Sequence, residues 1–423
     1  MLWSCLPAAR SRFSALPLVL ILSALACGGG SGGVPDPTPS DDLGPTQDVA
    51  ADAQFDEAAL DTAIAGDETE ANVGVDPGAE AADPGAEAAD PGAEAAAKLS
   101  FELDHVVQIT TVASSAEHLA FPGVVRLADD RLMVVYRKGN GHVDPSGVVM
   151  KQFGTADGET WTAPEVLHDK PGMDDRDPSV AVLPNGDVVV DYFQYAIFPF
   201  GGQNLTVHSI FFGRSVDSGA TFGTFTNVDG GDMSPDAASI NDDKLWVDSH
   251  DRPFVVKACS APVRSIGGRL VIASYGAEAL NLAALAVAPR SRISFFESAN
   301  DGQTWTERFV NPDQETKRWL MEPALLELAS GRQLLHIRTA SGNSPGNLGN
   351  TLQSVSDDGG QTWSSWQDIG FIGHSPDLYQ LSNGAVLTAE RELNAQGTQA
   401  WVSLRASLDD GNSWGELFQV KKC

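Results

Sequence analysis

The chain has 423 residues, with 57 Asp and Glu against 27 Lys and Arg, a formal net charge of -30 and a sequence pI near 4.4. No basic run occurs anywhere, which argues against nucleic acid as a partner. The acidity is also unevenly spread, so it says little about what the folded part binds.

Residues 1–27 carry Arg10 and Arg12, then an apolar run from Phe13 to Leu25, then Ala26-Cys27-Gly28. This is the pattern of a secretory signal, too short for a comfortable membrane span. The ending SALAC resembles the bacterial lipoprotein cleavage site, with Cys27 as the lipidated residue. An exported lipoprotein at the outer membrane, the cell surface or in the periplasm is expected, and ordinary cleavage without lipid is the alternative.

Residues 28–98 follow as a linker. From Gly28 to Ala97 there is no Lys or Arg but there are 17 Asp and Glu, and the segment closes with three copies of DPGAEAA between Asp76 and Ala96. With unopposed charge and few aromatics it cannot bury enough apolar surface to offset its ordering entropy. It is read as a disordered, self-repelling spacer that carries more than half of the net charge.

Residues 99–423 are organised by two repeated signals. The first is a pair of apolar runs split by a turn at Asp130, Gly186, Gly268, Gly331 and Gly384. The second is the octamer Ser/Thr-x-Asp-x-Gly-x-Thr/Ser-Trp, which starts at Thr155 (one residue short), Ser215, Ser298, Ser356 and Ser407. From each turn to the octamer's Asp or Asn is 27, 31, 32, 27 and 25 residues, so the unit repeats as a whole. It predicts strand, tight turn, strand, longer loop, strand, octamer turn, strand, which is a four-stranded antiparallel blade. In the octamer the Asp accepts backbone N–H groups, the Gly supplies a left-handed backbone and the Trp anchors the next strand. Asn300 and Phe222 vary within the pattern, which suits a turn better than a calcium site.

In such a blade the first and third turns share one end, so chemistry belongs at the other, where first strands begin and second strands end. Those positions hold Arg137, His142 and Asp144 in the first unit, and Asp174, Arg176, Tyr192 and Tyr195 in the second. They hold Tyr275 and Glu278 in the third, Glu322 and Arg338 in the fourth, and His374, Asp377 and Arg391 in the fifth. Arginine forks and carboxylic acids on one rim suit an anionic or polyhydroxylated sugar. For any single residue, a solvated loop or a local ion pair such as Arg176 with Asp174 or Asp177 is the competing reading.

The octamers are similar to the Asp boxes, or BNR repeats, of the sialidase or neuraminidase superfamily. The resemblance implies an all-β, six-bladed β-propeller. It requires a sixth blade from Phe101–Val112, the end of the chain, or Lys244–Lys257. It implies further that MEPALLELASGRQLLHIR supplies Glu322, which activates a nucleophilic Tyr, and Arg338, which binds a carboxylate. Asp144 falls in the region of the acid/base, and Tyr275 is the candidate nucleophile. Arg137, Arg176, Arg391 and His142 are the other substrate-binding candidates, since the family's first motif Arg is replaced around Ala120 and Phe121. Two classes stay open: an exported sialidase-like glycoside hydrolase acting on glycans, and a non-catalytic propeller that binds glycan or protein. No cofactor or metal signature is present, and a monomer is expected. Cys259 and Cys423 either pair as a disulfide or stand as a buried thiol and a loose terminal one.

Overall fold

The computed structural model describes residues 2–5, 108–200, 203–230, 254–278, 290–311, 318–341 and 348–422. Strand β1 (Leu2–Cys5), from the segment read as an export signal, pairs antiparallel with β2 (Gln108–Thr111). The linker repeats, Cys27 and Cys423 lie outside the described residues.

The other described strands form five antiparallel sheets, each crossing in chain order. The first holds β3 (His118–Arg126), β4 (Leu132–Gly139), β5 (Val148–Gly154) and β6 (Glu165–His168). The second holds β7 (Asp174–Val182), β8 (Val188–Phe200), β9 (Gln203–Ser215) and β10 (Thr226–Asn227). In the third, β11 (Phe254–Ala258) and β12 (Arg264–Ile266) both pair with β13 (Arg269–Glu278), followed by β14 (Arg290–Ser298) and β15 (Thr306–Val310). The fourth is β16 (Arg318–Glu327), β17 (Gln333–Ser341), β18 (Gly349–Ser356) and β19 (Gln367–Asp368). The fifth is β20 (Ile372–Gln380), β21 (Val386–Leu393), β22 (Ala400–Ser407) and β23 (Phe418–Lys422).

These are the predicted blades of an all-β propeller, but the described residues form five of them rather than six. The described part of each segment that could have built a sixth is used otherwise. Gln108–Thr111 pairs only with β1, Phe254–Ala258 is the first half of the third blade's inner edge, and Phe418–Lys422 is the outer strand of the fifth. Apolar seams join neighbouring blades: Met133 and Val135 meet Val188 and Val190, while Ala324, Leu328 and Leu334 meet Leu378 and Val386. Each fully buried Val or Leu in a seam stabilises by about 1.5–3 kcal/mol.

The octamer is a hydrogen-bonded turn, as its composition demands. In the second copy the Ser215 hydroxyl donates to Asp217 at 2.6 Å, Asp217 accepts the Thr221 amide at 2.9 Å, and Ser215 accepts the Gly219 amide at 2.9 Å. Hydrogen bonds from Ser215 and Thr221 hold the Asp217 carboxyl down at about 2. Asn300 keeps the same turn by accepting the Thr304 amide and donating to its hydroxyl, both at 2.9 Å. Four copies place two successive residues in the left-handed region, with the motif glycines 219, 302, 360 and 411 at φ 79–85°.

Each later turn is also clasped by the blade before it. Lys151 donates to the carbonyls of Gly219 and Ala220, Arg214 to Asp301, Arg308 to Gly360, and Gln353 to Gly411. The first turn receives Arg126 of its own blade instead.

Candidate functional site

Four blades begin their inner strand with the same device, a residue followed by proline: Phe121-Pro122, Asp177-Pro178, Glu322-Pro323 and Ser375-Pro376. Proline removes a ladder donor, and the strand register slips at each site. The residue before the proline sits at φ 52°, 48°, 46° and 50° respectively, a region that non-glycine residues seldom enter. Such strain persists only where the surroundings enforce it, and it clusters at functional sites. The bulges re-aim side chains at one matched level of the propeller, the end predicted to carry chemistry. The four X-Pro pairs were visible in the sequence, and their shared spacing ahead of each tight turn is the signal that could have marked them as a repeat.

At the first two blades the centre is Asp174, which has 1% of its side chain exposed. It accepts Arg137 Nε at 2.6 Å, the Asp144 amide at 2.9 Å and Arg176 Nη1 at 3.4 Å. Arg137 is wholly buried, and its remaining donors hold the loop carbonyls of Gly141 at 2.8 Å and Asp144 at 3.3 Å. It therefore orders the loop after β4 from beneath, rather than standing on the rim. Arg176 donates to the His142 carbonyl at 2.7 Å, and its guanidinium lies 5.1 Å from the Phe121 ring and 5.9 Å from those of Phe193 and Tyr195. Asp144 has a part-exposed carboxyl that accepts the Ser146 amide at 2.9 Å, and Ser146 holds it below the usual carboxylate range. This keeps it ionised near neutrality, the state of a base. The part-exposed His142 ring meets His118 edge-on at 5.3 Å and Phe121 at 5.6 Å.

At the fourth and fifth blades Glu322, buried like its partner, accepts Arg338 Nη1 at 2.6 Å. Its other oxygen accepts the Ser375 amide at 2.7 Å and hydroxyl at 3.3 Å. One bulge residue thus fixes another across a blade boundary. Arg391 stands opposite the buried His374 on β20 and β21 and is part-exposed. It makes no hydrogen bond or ion pair among the described residues. Asp377 is instead paired with Arg264 of the third blade at 2.9 Å.

Tyr275 lies elsewhere in character: it is 9% exposed and belongs to the apolar cluster that includes Trp319, Leu320 and Met321. The side chain of Glu278 is outside the described residues. Cys259 is a fully buried free thiol. Among the described residues no group of three or more His, Cys, Asp or Glu could hold a metal ion.

The model of the BNR repeat-like domain matches residues 203–423. No curated protein matches the sequence. Among solved structures, a protein of unknown function from Dyadobacter fermentans is 18% identical with a TM-score of 0.53, over 72% of this chain and 94% of that one. A Hadza microbial sialidase is 17% identical with a TM-score of 0.52, over 72% of this chain and 59% of its own. The NanB sialidase from Streptococcus pneumoniae is 12% identical with a TM-score of 0.51, over 74% and 63%. The chain therefore spans less than two thirds of either sialidase, and at these identities the likeness is one of fold. The repeated turns, the blades and the domain match agree: this chain belongs to the BNR repeat-like domain family, with a propeller of the sialidase type.

Proposed function

We propose that the propeller is a glycoside hydrolase of sialidase type that acts on anionic glycans at the rim of X-Pro bulges. The observation that carries this reading is the buried Glu322–Arg338 pair, held on a strained bulge by Ser375, with Arg391 beyond it left without a counter-charge among the described residues. Arg391 offers a planar fork to a substrate carboxylate. Glu322 polarises a phenol that attacks the anomeric carbon, drawn from Tyr275 on β13 or Tyr195 on β8. Asp144, protonated when substrate is bound, gives its proton to the leaving oxygen as the glycosidic bond breaks, and its carboxylate then takes a proton from the water that releases the sugar from the phenol. A binding propeller without catalysis is favoured by one observation, the complete burial of Arg137, which leaves fewer arginines to clamp a carboxylate.

Hydrolysis of a fluorogenic sialoside, beside a panel of other glycosides, separates the two. Turnover should fall roughly 100- to 10,000-fold in Glu322→Gln. Tyr275→Phe and Tyr195→Phe identify the nucleophile. A folded chain that turns over no member of the panel sinks the hydrolase reading.

We propose in addition that export ends in lipid attachment at Cys27, with residues 28–98 as the tether. Metabolic labelling with a radiolabelled fatty acid should mark the wild-type chain and leave Cys27→Ser unmarked. Equal labelling of both would place the lipid elsewhere.

A further inference from the structure

We propose that the groove between the outer edges of the first two blades is a second carbohydrate site, one that takes an uncharged, hydroxyl-rich sugar ring. The groove encloses about 450 Å³ and is lined by Lys151, Glu165, His168, Phe222, Thr224 and Phe225 among others. That volume lies within the usual range for small-ligand sites.

The chemistry on its walls is specific. His168 Nδ1 lies 2.7 Å from Asp175 Oδ2 and 2.9 Å from the Tyr192 hydroxyl. Asp175 is fully buried, as is Tyr192, so the imidazole is fixed from behind. Its Nε2 has no hydrogen-bond partner among the described residues, and the side chain is 24% exposed. Beside it the part-exposed rings of Phe222 and Phe225 stack at 5.9 Å, and Phe225 meets His168 edge-on at 5.1 Å. A fixed imidazole edge, a carboxylate and an aromatic surface are the parts that hold a sugar by its hydroxyls and its C–H face.

The repeat itself departs from pattern at this place. Three other copies of the turn carry Trp161, Trp305 and Trp363, each donating Nε1 to the carbonyl of its motif glycine at 2.9–3.2 Å. Phe222 cannot do this, and Lys151 Nζ covers the Gly219 carbonyl at 3.1 Å instead. The lysine is thereby withdrawn to 8% exposure, and from there, at 3.7 Å, it only partly offsets the outward negative charge of the 61%-exposed Glu165 carboxylate. That charge disfavours an anionic ligand. Strand alternation also separates this groove from the bulge site, because Asp174 and Arg176 point to one side of β7 and Asp175 to the other.

The test is a titration of the full-length ¹⁵N-labelled chain with lactose, cellobiose and maltose, following the His168 ring nitrogens. A saturable shift with at least one disaccharide is expected, weakened about tenfold in His168→Gln, where the ring is replaced by an amide, when read by tryptophan fluorescence. 3'-Sialyllactose should bind this groove more weakly than lactose. No saturable response to any of the three sugars, an unchanged affinity in both His168→Gln and Phe225→Leu, or tighter binding of the sialylated sugar would each overturn the assignment. Sialoside turnover in His168→Gln should match wild type, so failure of the groove and failure of the hydrolase reading are seen separately.

Discussion

Replacing Asp174 by alanine is expected to cost about 3–5 kcal/mol, because it strands the wholly buried Arg137 guanidinium and leaves the buried Arg176 with Asp177 alone, at 3.8 Å, as counter-charge. That is a large fraction of the stability of a typical domain. Asp174 is the acceptor for Arg137, Arg176 and the Asp144 amide, so its loss also frees the loop from Gly141 to Gly147. Gly147 shows how tightly that loop is seated, since a β-carbon there would collide with the Asp174 carboxylate and crowd Arg137 Nε at 2.8 Å. Urea unfolding should give the stability loss, and limited proteolysis should find a new cut within the loop. Asp174→Asn, which keeps an acceptor without the charge, should fall between wild type and alanine. A loss below about 1 kcal/mol for the alanine variant would mean that solvent or Asp177 replaces the carboxylate.

The second large effect concerns pH. Glu390 is buried between the fourth and fifth blades, 3.4 Å from the hydroxyls of both Thr351 and Thr388. Burial, with the nearby charge of Glu392, pushes its carboxyl up from 4.5 to about 8. The folded chain therefore keeps a proton that the unfolded chain releases above about pH 4.5. Its contribution is fully present in acid and is lost as pH rises toward 8, at roughly 1.4 kcal/mol per pH unit. Asp191, raised by burial to about 7, acts in the same sense. His208 and His336 act oppositely: burial lowers them to about 3 and 4, so their neutral forms stabilise above pH 6.5 and cost stability as pH falls through that window. The four together place maximal stability in mildly acidic solution, with a decline toward pH 8. Glu390→Gln should flatten that decline and raise the melting temperature at pH 8 while changing little at pH 4.5. Parallel melting curves for wild type and variant from pH 5 to pH 8 would show that Glu390 ionises normally.

The blades were legible because turn chemistry is local. An Asp or Asn that accepts amides and a Gly at positive φ impose the same octamer wherever they recur, and the strands follow from apolar runs around them. The rim was legible as a set of residues but not as an arrangement. Arg137 and Arg391 occupy like places at the ends of second strands, yet one is wholly buried on Asp174 and the other stands open. Nothing local to either residue distinguishes them, because the difference is made by Asp174, 37 positions away in the chain. The left-handed residues before each proline are likewise a product of blade packing, since proline alone favours extended backbone at the preceding position. The sixth blade expected from the resemblance has a similar explanation: the pairing of Phe254–Ala258 with β13 is a long-range choice that the apolar pattern leaves undecided.

The clasps between blades run one way. Lys151, Arg214, Arg308 and Gln353 each reach forward to the turn of the blade that follows in the chain, and among the described residues none reaches from the fifth blade to the first. For a polypeptide leaving the ribosome or a translocation pore amino end first, every new blade arrives where its fastening is already waiting. Assembly can thus proceed as a vectorial zipper, with little exposed edge at any moment and no need to hold the whole ring until the last residue is made.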